Sequence, residues 1–168
     1  LYPWNSSPAL TAELDELAKK GNCTLTGVGY CDLYWGTMVT NFMGAQAKVT
    51  KIVGDFFTVD LGEGYDAVIS SSALHHFLKE DKKRLFDRIY NSLKPGGIFI
   101  NSDKYANDAQ EEAACLADYY ENKDNRPHID TPITVEEEAA LLEKAGFEIV
   151  DIIECDTEYY RLIKAKKA

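Results

Sequence analysis

The chain has 168 residues, 45% of them hydrophobic and 27% charged, the mix of an ordinary globular protein with a single core. Its 18 Lys and Arg against 28 Asp and Glu leave a net charge of −10, a field that repels nucleic-acid phosphates and anionic lipid. No apolar run approaches the ~18 residues of a membrane helix, and residues 1–20 lack the basic start and apolar core of a secretory leader, so a cytoplasmic location is expected.

In chain order, Leu10–Lys20 reads as a helix with Thr11 as N-cap and Gly21 as its stop. Thr24–Leu33 is rich in Thr, Val, Leu and Tyr and reads as a strand. Trp35–Met43 opens a second helix. Ala47–Thr50 and Ile52–Val53 are short β-prone runs, and Asp55–Gly64 is a loop. Ala67–Ser71 is a short buried strand. Lys79–Leu93 is the clearest helix, with Leu78, Leu85, Phe86, Ile89 and Leu93 at helical spacing. Lys94-Pro95-Gly96-Gly97 ends it. Ile98–Ile100 is again a buried strand. Asp108–Tyr120 is helical, and Asn122–Asp130 is a polar connection. Thr134 starts another helix, with Glu137 completing a capping box. Phe147–Ile153 and Tyr159–Ala165 form a closing antiparallel pair.

Helices alternating with strands predict an α/β sandwich in one domain. Its sheet is mostly parallel with an antiparallel C-terminal hairpin strand, and helices cover both faces. Ligands in such sheets bind at the carboxyl ends of the strands, which directs attention to the residues after Leu33, Val53, Ser71 and Ile100. Cys23, Cys31, Cys115 and Cys155 form no C-x-x-C pair, which speaks against a zinc ribbon or a thioredoxin-type motif. They are expected as reduced, buried thiols. Of the three histidines, His75 and His76 are adjacent and His128 is remote in sequence; too few ligands are visible for a metal site, and none is expected.

The strand ends carry a resemblance. Tyr65 to Phe77 (YDAVISSSALHHF) is similar to the fourth motif of class I S-adenosylmethionine-dependent methyltransferases, and Leu93–Ile100 (LKPGGIFI) to the segment that follows it. Gly54-Asp55-Phe56 resembles the acidic loop after the third strand, and Ala145-Gly146-Phe147 the start of the family's C-terminal strands. The resemblance implies a Rossmann-like sandwich, S-adenosylmethionine as cofactor and a small-molecule methyl acceptor. Asp55 would accept hydrogen bonds from the adenine amine, with Phe56 against the ring. Ser70 and Ser71 would line the methionine moiety. Either His75 or His76 would face the pocket and take a proton from the acceptor. Tyr105, Tyr119 and His128, in the segment Asp103–Asp130, would contact the substrate.

The N-terminal third departs from the pattern. The glycine-rich first motif corresponds to Asp32-Leu33-Tyr34-Trp35-Gly36-Thr37-Met38, in which Asp32, Gly36 and Thr37 are the cofactor-binding candidates. Tyr34 and Met38 stand where the family uses Gly, whose lack of a side chain lets the backbone approach the cofactor; an alternative register places the motif at Gly27-Val28-Gly29. In addition, Ala47–Thr50 resembles the second strand and Lys51–Asp55 the end of the third, with no crossover between them. Parallel neighbours need about ten connecting residues or more. Three readings stand: residues missing between Thr50 and Lys51, the favoured one; a deletion that makes Ala47–Val53 a single strand; or a wrong alignment of this third. Methyl transfer to a small molecule is the leading functional expectation. The alternative is an inactive methyltransferase-like domain that binds or regulates a partner. A nicotinamide-dependent oxidoreductase would need a G-x-G-x-x-G turn that the chain lacks.

Overall fold

The computed structural model describes residues 8–18, 24–29, 48–126, 128–155 and 159–168. They fall into two compact units: residues 11–62, and residues 63–168 with the start of the chain up to Leu10.

The smaller unit contains most of α1 (Pro8–Ala18), together with β1 (Thr24–Gly29) and β2 (Lys48–Val53). Thr11, expected as an N-cap, lies inside α1; the helix starts at Pro8, whose fixed φ suits a first turn. β1 and β2 pair in parallel, from Thr24 opposite Lys48 to Gly29 opposite Val53. Thr50 and Lys51 are consecutive in β2, opposite Thr26 and Gly27. Lys48–Thr50 and Ile52–Val53, read from the sequence as separate β-prone runs, thus fall within one strand. Residues 30–47 connect the pair and are long enough for a parallel crossover. The expected helix Trp35–Met43 and the end of the first predicted strand lie outside the described residues.

The larger unit holds β3 (Tyr65–Ser71), β4 (Leu93–Lys104), β5 (Phe147–Glu154) and β6 (Tyr160–Lys167), in the order β3-β4-β6-β5. β4 runs parallel to β3, while β6 is antiparallel to both β4 and β5. β3, β4 and β5 therefore share one direction and β6 alone is reversed; the expected antiparallel closing strand is present, while the mostly parallel sheet is met only in part, since β6 makes antiparallel pairs with both β4 and β5. The helices are α2 (Lys79–Ser92), α3 (Ala109–Asn122) and α4 (Val135–Lys144). The apolar stripe of α2 does what its spacing requires: Leu85, Phe86 and Ile89 are buried. Phe86 meets Phe99 of β4 at 5.9 Å between ring centroids, and Phe147 of β5 stands 6.0 Å from Phe99. Each such buried side chain contributes about 1.5–3 kcal/mol.

Caps fix the helix starts. Asp108 accepts the Glu111 N–H at 2.8 Å, and Thr134 accepts the Glu137 N–H at 3.3 Å. The capping box at Thr134 is only half formed. Glu137 pairs instead with Lys79 of α2, and the Thr134 N–H goes to Glu112 Oε2 at 2.9 Å. After α4 the chain turns at Gly146, where φ is +104° and an added Cβ would press on the Tyr90 ring; only Gly fits both demands. Among the described residues no helix is long and apolar enough to cross a membrane.

Candidate functional site

β3 ends at Ser70-Ser71, and the chain then turns sharply through Ser72 at φ +50°, whose N–H donates to Ser102 O on β4 at 2.9 Å. A 3-10 turn, Leu74–His76, follows at once. Its position is set by one buried side chain at the end of β4. Asp103 Oδ2 accepts the N–H of Leu74 at 2.7 Å and of His75 at 3.1 Å, and Oδ1 contacts the His75 ring at Nδ1. Burial opposes ionisation of Asp103, but the His75 hydrogen bond and the charges of His75 and Lys82 outweigh it and hold the carboxyl below its ordinary value. An ionised Asp103 makes His75 Nδ1 the protonated nitrogen.

The segment before α4 is tied to the same turn. Thr131 donates its N–H to His75 O at 2.7 Å, which brings its neighbour Asp130 beside the imidazoles. Asp130 Oδ2 accepts from Lys104 Nζ at 2.9 Å. Its Oδ1 lies 3.3 Å from His76 Nδ1, 3.3 Å from His128 Nε2 and 3.7 Å from His75 Nε2. Burial disfavours the Asp130 charge, yet Lys104 and the imidazoles win and lower its pKa. His76 moves the other way: burial, then the charges of His75 and His128, lower its pKa from 6.5 to about 4. At neutral pH its ring is an uncharged base. Its centroid is 3.9 Å from that of His75 and 4.3 Å from that of His128.

His76 and His128 line a cleft of about 200 Å³ with Tyr119, Lys123, Arg126 and Ile129. Three expected site residues thus come together, and both histidines of the pair take part: His75 beneath, bound to Asp103, and His76 at the cleft. Arg126 is paired with Asp118. The Lys123 ammonium has no ion pair among the described residues. This lining is basic although the chain is acidic.

Other expected residues go elsewhere. Tyr105 is buried: its hydroxyl donates to Glu138 Oε1 at 2.6 Å and accepts from Asn101 Nδ2 at 3.1 Å. Tyr105 also lines a second cleft of about 280 Å³ that includes Glu136 and Arg161. Ser70 and Ser71 end β3, with Ser71 exposed. In the smaller unit, Asp55 follows β2 in a turn, its Oδ1 accepting the Phe57 N–H at 2.8 Å, and Phe56 is half-buried. Asp32, Gly36 and Thr37, with Tyr34 and Met38, lie outside the described residues. Sequence reasoning missed Asp103, Lys104, Asp130, Lys123 and Arg126 as site residues. Asp103 had a signal, since it ends a buried strand at the sheet's carboxyl edge; Asp130 had none. With Asp130 in place, His75, His76 and Asp130 each offer a ligand atom, all within 4.8 Å of one another.

Residues 11–97 match the model of a methyltransferase domain family. The chain belongs to the class I S-adenosylmethionine-dependent methyltransferases. Among curated relatives of this methyltransferase, a carboxy-S-adenosyl-L-methionine synthase of Nautilia profundicola is 24% identical over 156 residues, 83% of this chain and 66% of that protein. One from Vibrio vulnificus is 31% identical over 80 residues, 48% of this chain and 32% of its own. The chain spans about two thirds of the first relative's length and less of the second's. The fold matches that of a Burkholderia thailandensis 1,6-didemethyltoxoflavin-N1-methyltransferase, solved with bound 1,6-didemethyltoxoflavin and S-adenosylhomocysteine. The TM-score is 0.68 at 17% identity, over 99% of this chain and 81% of that one. It also matches the mitomycin 7-O-methyltransferase, with TM-score 0.65 at 17% identity over 99% and 60% of the two chains.

S-adenosylmethionine is the cofactor of this family. The described residues fit it in kind. Asp55 is a carboxylate in a tight turn just beyond a strand end, suited to nucleoside donors, and Ser70 and Ser71 end a parallel strand where small ligands bind.

Proposed function

We propose that the protein transfers the sulfonium methyl of S-adenosylmethionine to a small-molecule acceptor held in the cleft of His76, Tyr119, Lys123 and His128. The observation that carries this reading is the meeting of His76, Tyr119 and His128, from three separate segments, in one cleft of the unit that ends at the methyltransferase strands. Asp55 takes donors of the cofactor's nucleoside, Phe56 lies against its base, and Ser70 and Ser71 line its methionine part. By the family resemblance, Asp32, Gly36 and Thr37 are the further cofactor candidates. His76, neutral at pH 7, accepts the acceptor's proton as the nucleophile attacks in line. Lys123, with no ion pair of its own among the described residues while Arg126 is held by Asp118, favours an acceptor that carries an anionic group.

A second reading comes from the relatives named carboxy-S-adenosyl-L-methionine synthase. In it the acceptor is replaced by a co-substrate that supplies a carboxyl group, and S-adenosylmethionine itself is the group modified.

Calorimetric titration with S-adenosylmethionine and with S-adenosylhomocysteine tests both. Micromolar binding, about −8 kcal/mol, is expected. Product analysis with small anionic compounds then separates them: S-adenosylhomocysteine plus a methylated acceptor supports methyl transfer, and a carboxylated cofactor supports the second reading. Absence of binding to both nucleosides overturns the two together and leaves an inactive partner-binding domain.

A further inference from the structure

The three histidines of the chain surround one carboxylate oxygen. Asp130 Oδ1 and His76 Nδ1 are buried, lie 3.3 Å apart, and neither makes a hydrogen bond among the described residues. Asp103 engages His75 at Nδ1, which leaves Nε2, 3.7 Å from Asp130 Oδ1, as the ring nitrogen that faces the cluster. A carboxylate oxygen and an imidazole nitrogen buried side by side without a hydrogen bond cost free energy, and a cation between them would recover it.

We propose that His75 Nε2, His76 Nδ1 and Asp130 Oδ1 bind one divalent first-row transition-metal ion, with zinc as the representative. Two donors on one ion at ~2.0–2.1 Å lie roughly 3.3 Å apart in a tetrahedron. The His76 to Asp130 separation of 3.3 Å already has this value, and the His75 to Asp130 separation of 3.7 Å needs to close by a few tenths of an ångström. His128 Nε2, 3.3 Å from the same oxygen, is the next donor at hand. Two imidazoles and a carboxylate select zinc, iron, cobalt or nickel over magnesium or calcium, which prefer oxygen alone. The supporting contacts are those of a metal site: Asp103 fixes the tautomer and orientation of His75, and Lys104 orients Asp130. The ion would border the cleft that His76 and His128 line, and the role of His76 as the base for the acceptor's proton would then belong to the metal-free chain alone.

The test uses the full chain, stripped with a chelator, and does not depend on turnover. Zinc is titrated by calorimetry and cobalt by visible absorption. One ion per chain is expected, with a cobalt spectrum of nitrogen and oxygen ligands. His76→Ala and Asp130→Asn should each weaken binding by ~100-fold or more, while circular dichroism shows a wild-type melting curve for at least one of them. The proposal is overturned if the wild type binds no stoichiometric ion. It is equally overturned if both variants bind as the wild type does, or if cobalt gives the near-ultraviolet charge-transfer band of a thiolate ligand.

Discussion

Asp103 holds His75 twice, through the backbone N–H at 3.1 Å and through Nδ1 of the ring. With the Leu74 N–H at 2.7 Å on the same carboxylate, one side chain at the end of β4 fixes the whole turn after β3. Asp103→Asn keeps the shape and removes the charge. It should cost about 3 kcal/mol in urea unfolding. The carboxyl is held below 3.8 in the fold, so the stability it contributes is fully present above its unfolded value. That stability is lost as pH falls through the lower folded value. The wild type should therefore lose more stability than the variant below about pH 4; parallel acid limbs would refute the assignment.

The elements of the larger unit were legible because each rests on a local rule. The stripe of Leu85, Phe86 and Ile89, the caps at Asp108 and Thr134 and the stop after Leu93 all act over a few residues. The site was legible only in part. His76, Tyr119 and His128 could be singled out by chemistry, but their meeting depends on Thr131 bonding to His75 O, a contact between residues far apart in sequence. Asp130 looked like one acid among many. The capping box at Thr134 failed for the same reason: Lys79, on another helix, competes for Glu137. The two short runs of β2 could not be joined from the sequence, because a strand end and a strand start look alike when the pairing partner is unknown.

Lys82 and Glu138 form a fully buried ion pair between α2 and α4, with Nζ to Oε2 at 2.8 Å. Asn101 and Tyr105 satisfy the other Glu138 oxygen, and burial plus the Glu138 charge push the Tyr105 hydroxyl well up in pKa. Lys82→Met strands a carboxylate in the core and should cost about 3–5 kcal/mol. Lys82→Met combined with Glu138→Leu should recover much of that loss, since neither charge of the pair then remains buried. Denaturant melts of the two single variants and the double variant decide it. Additive losses would mean that the pair does not act as a unit.

His76 titrates near 4 rather than 6.5. If it removes the acceptor's proton, kcat/KM should stay flat through pH 6 and fall only as pH approaches about 4. His76→Ala should lower kcat by roughly 10²–10⁴ and abolish that limb. Binding of S-adenosylhomocysteine should be unchanged in the variant. A wild-type limb near 6.5 would assign the proton to a different base.

Gly54 separates β2 from the turn that carries Asp55. Thr58 and Val59 return their N–H groups to Asp55 O at 3.0 and 2.9 Å, and this fold-back lays the Val59 side chain over Gly54. A Cβ at position 54 would overlap Val59 Cγ1, and a β-branched side chain has little rotamer freedom with which to yield. Gly54→Ala should thus open the turn, at about 1–3 kcal/mol. It should also displace Asp55 and weaken S-adenosylmethionine binding by roughly tenfold, about 1.4 kcal/mol. Gly54→Ala with Val59→Ala removes the colliding methyl and should restore most of the affinity. Calorimetry on the wild type and both variants reads this directly. Unchanged affinity in Gly54→Ala would separate the turn from the cofactor, and loss without rescue in the double variant would show that Val59 itself is needed there.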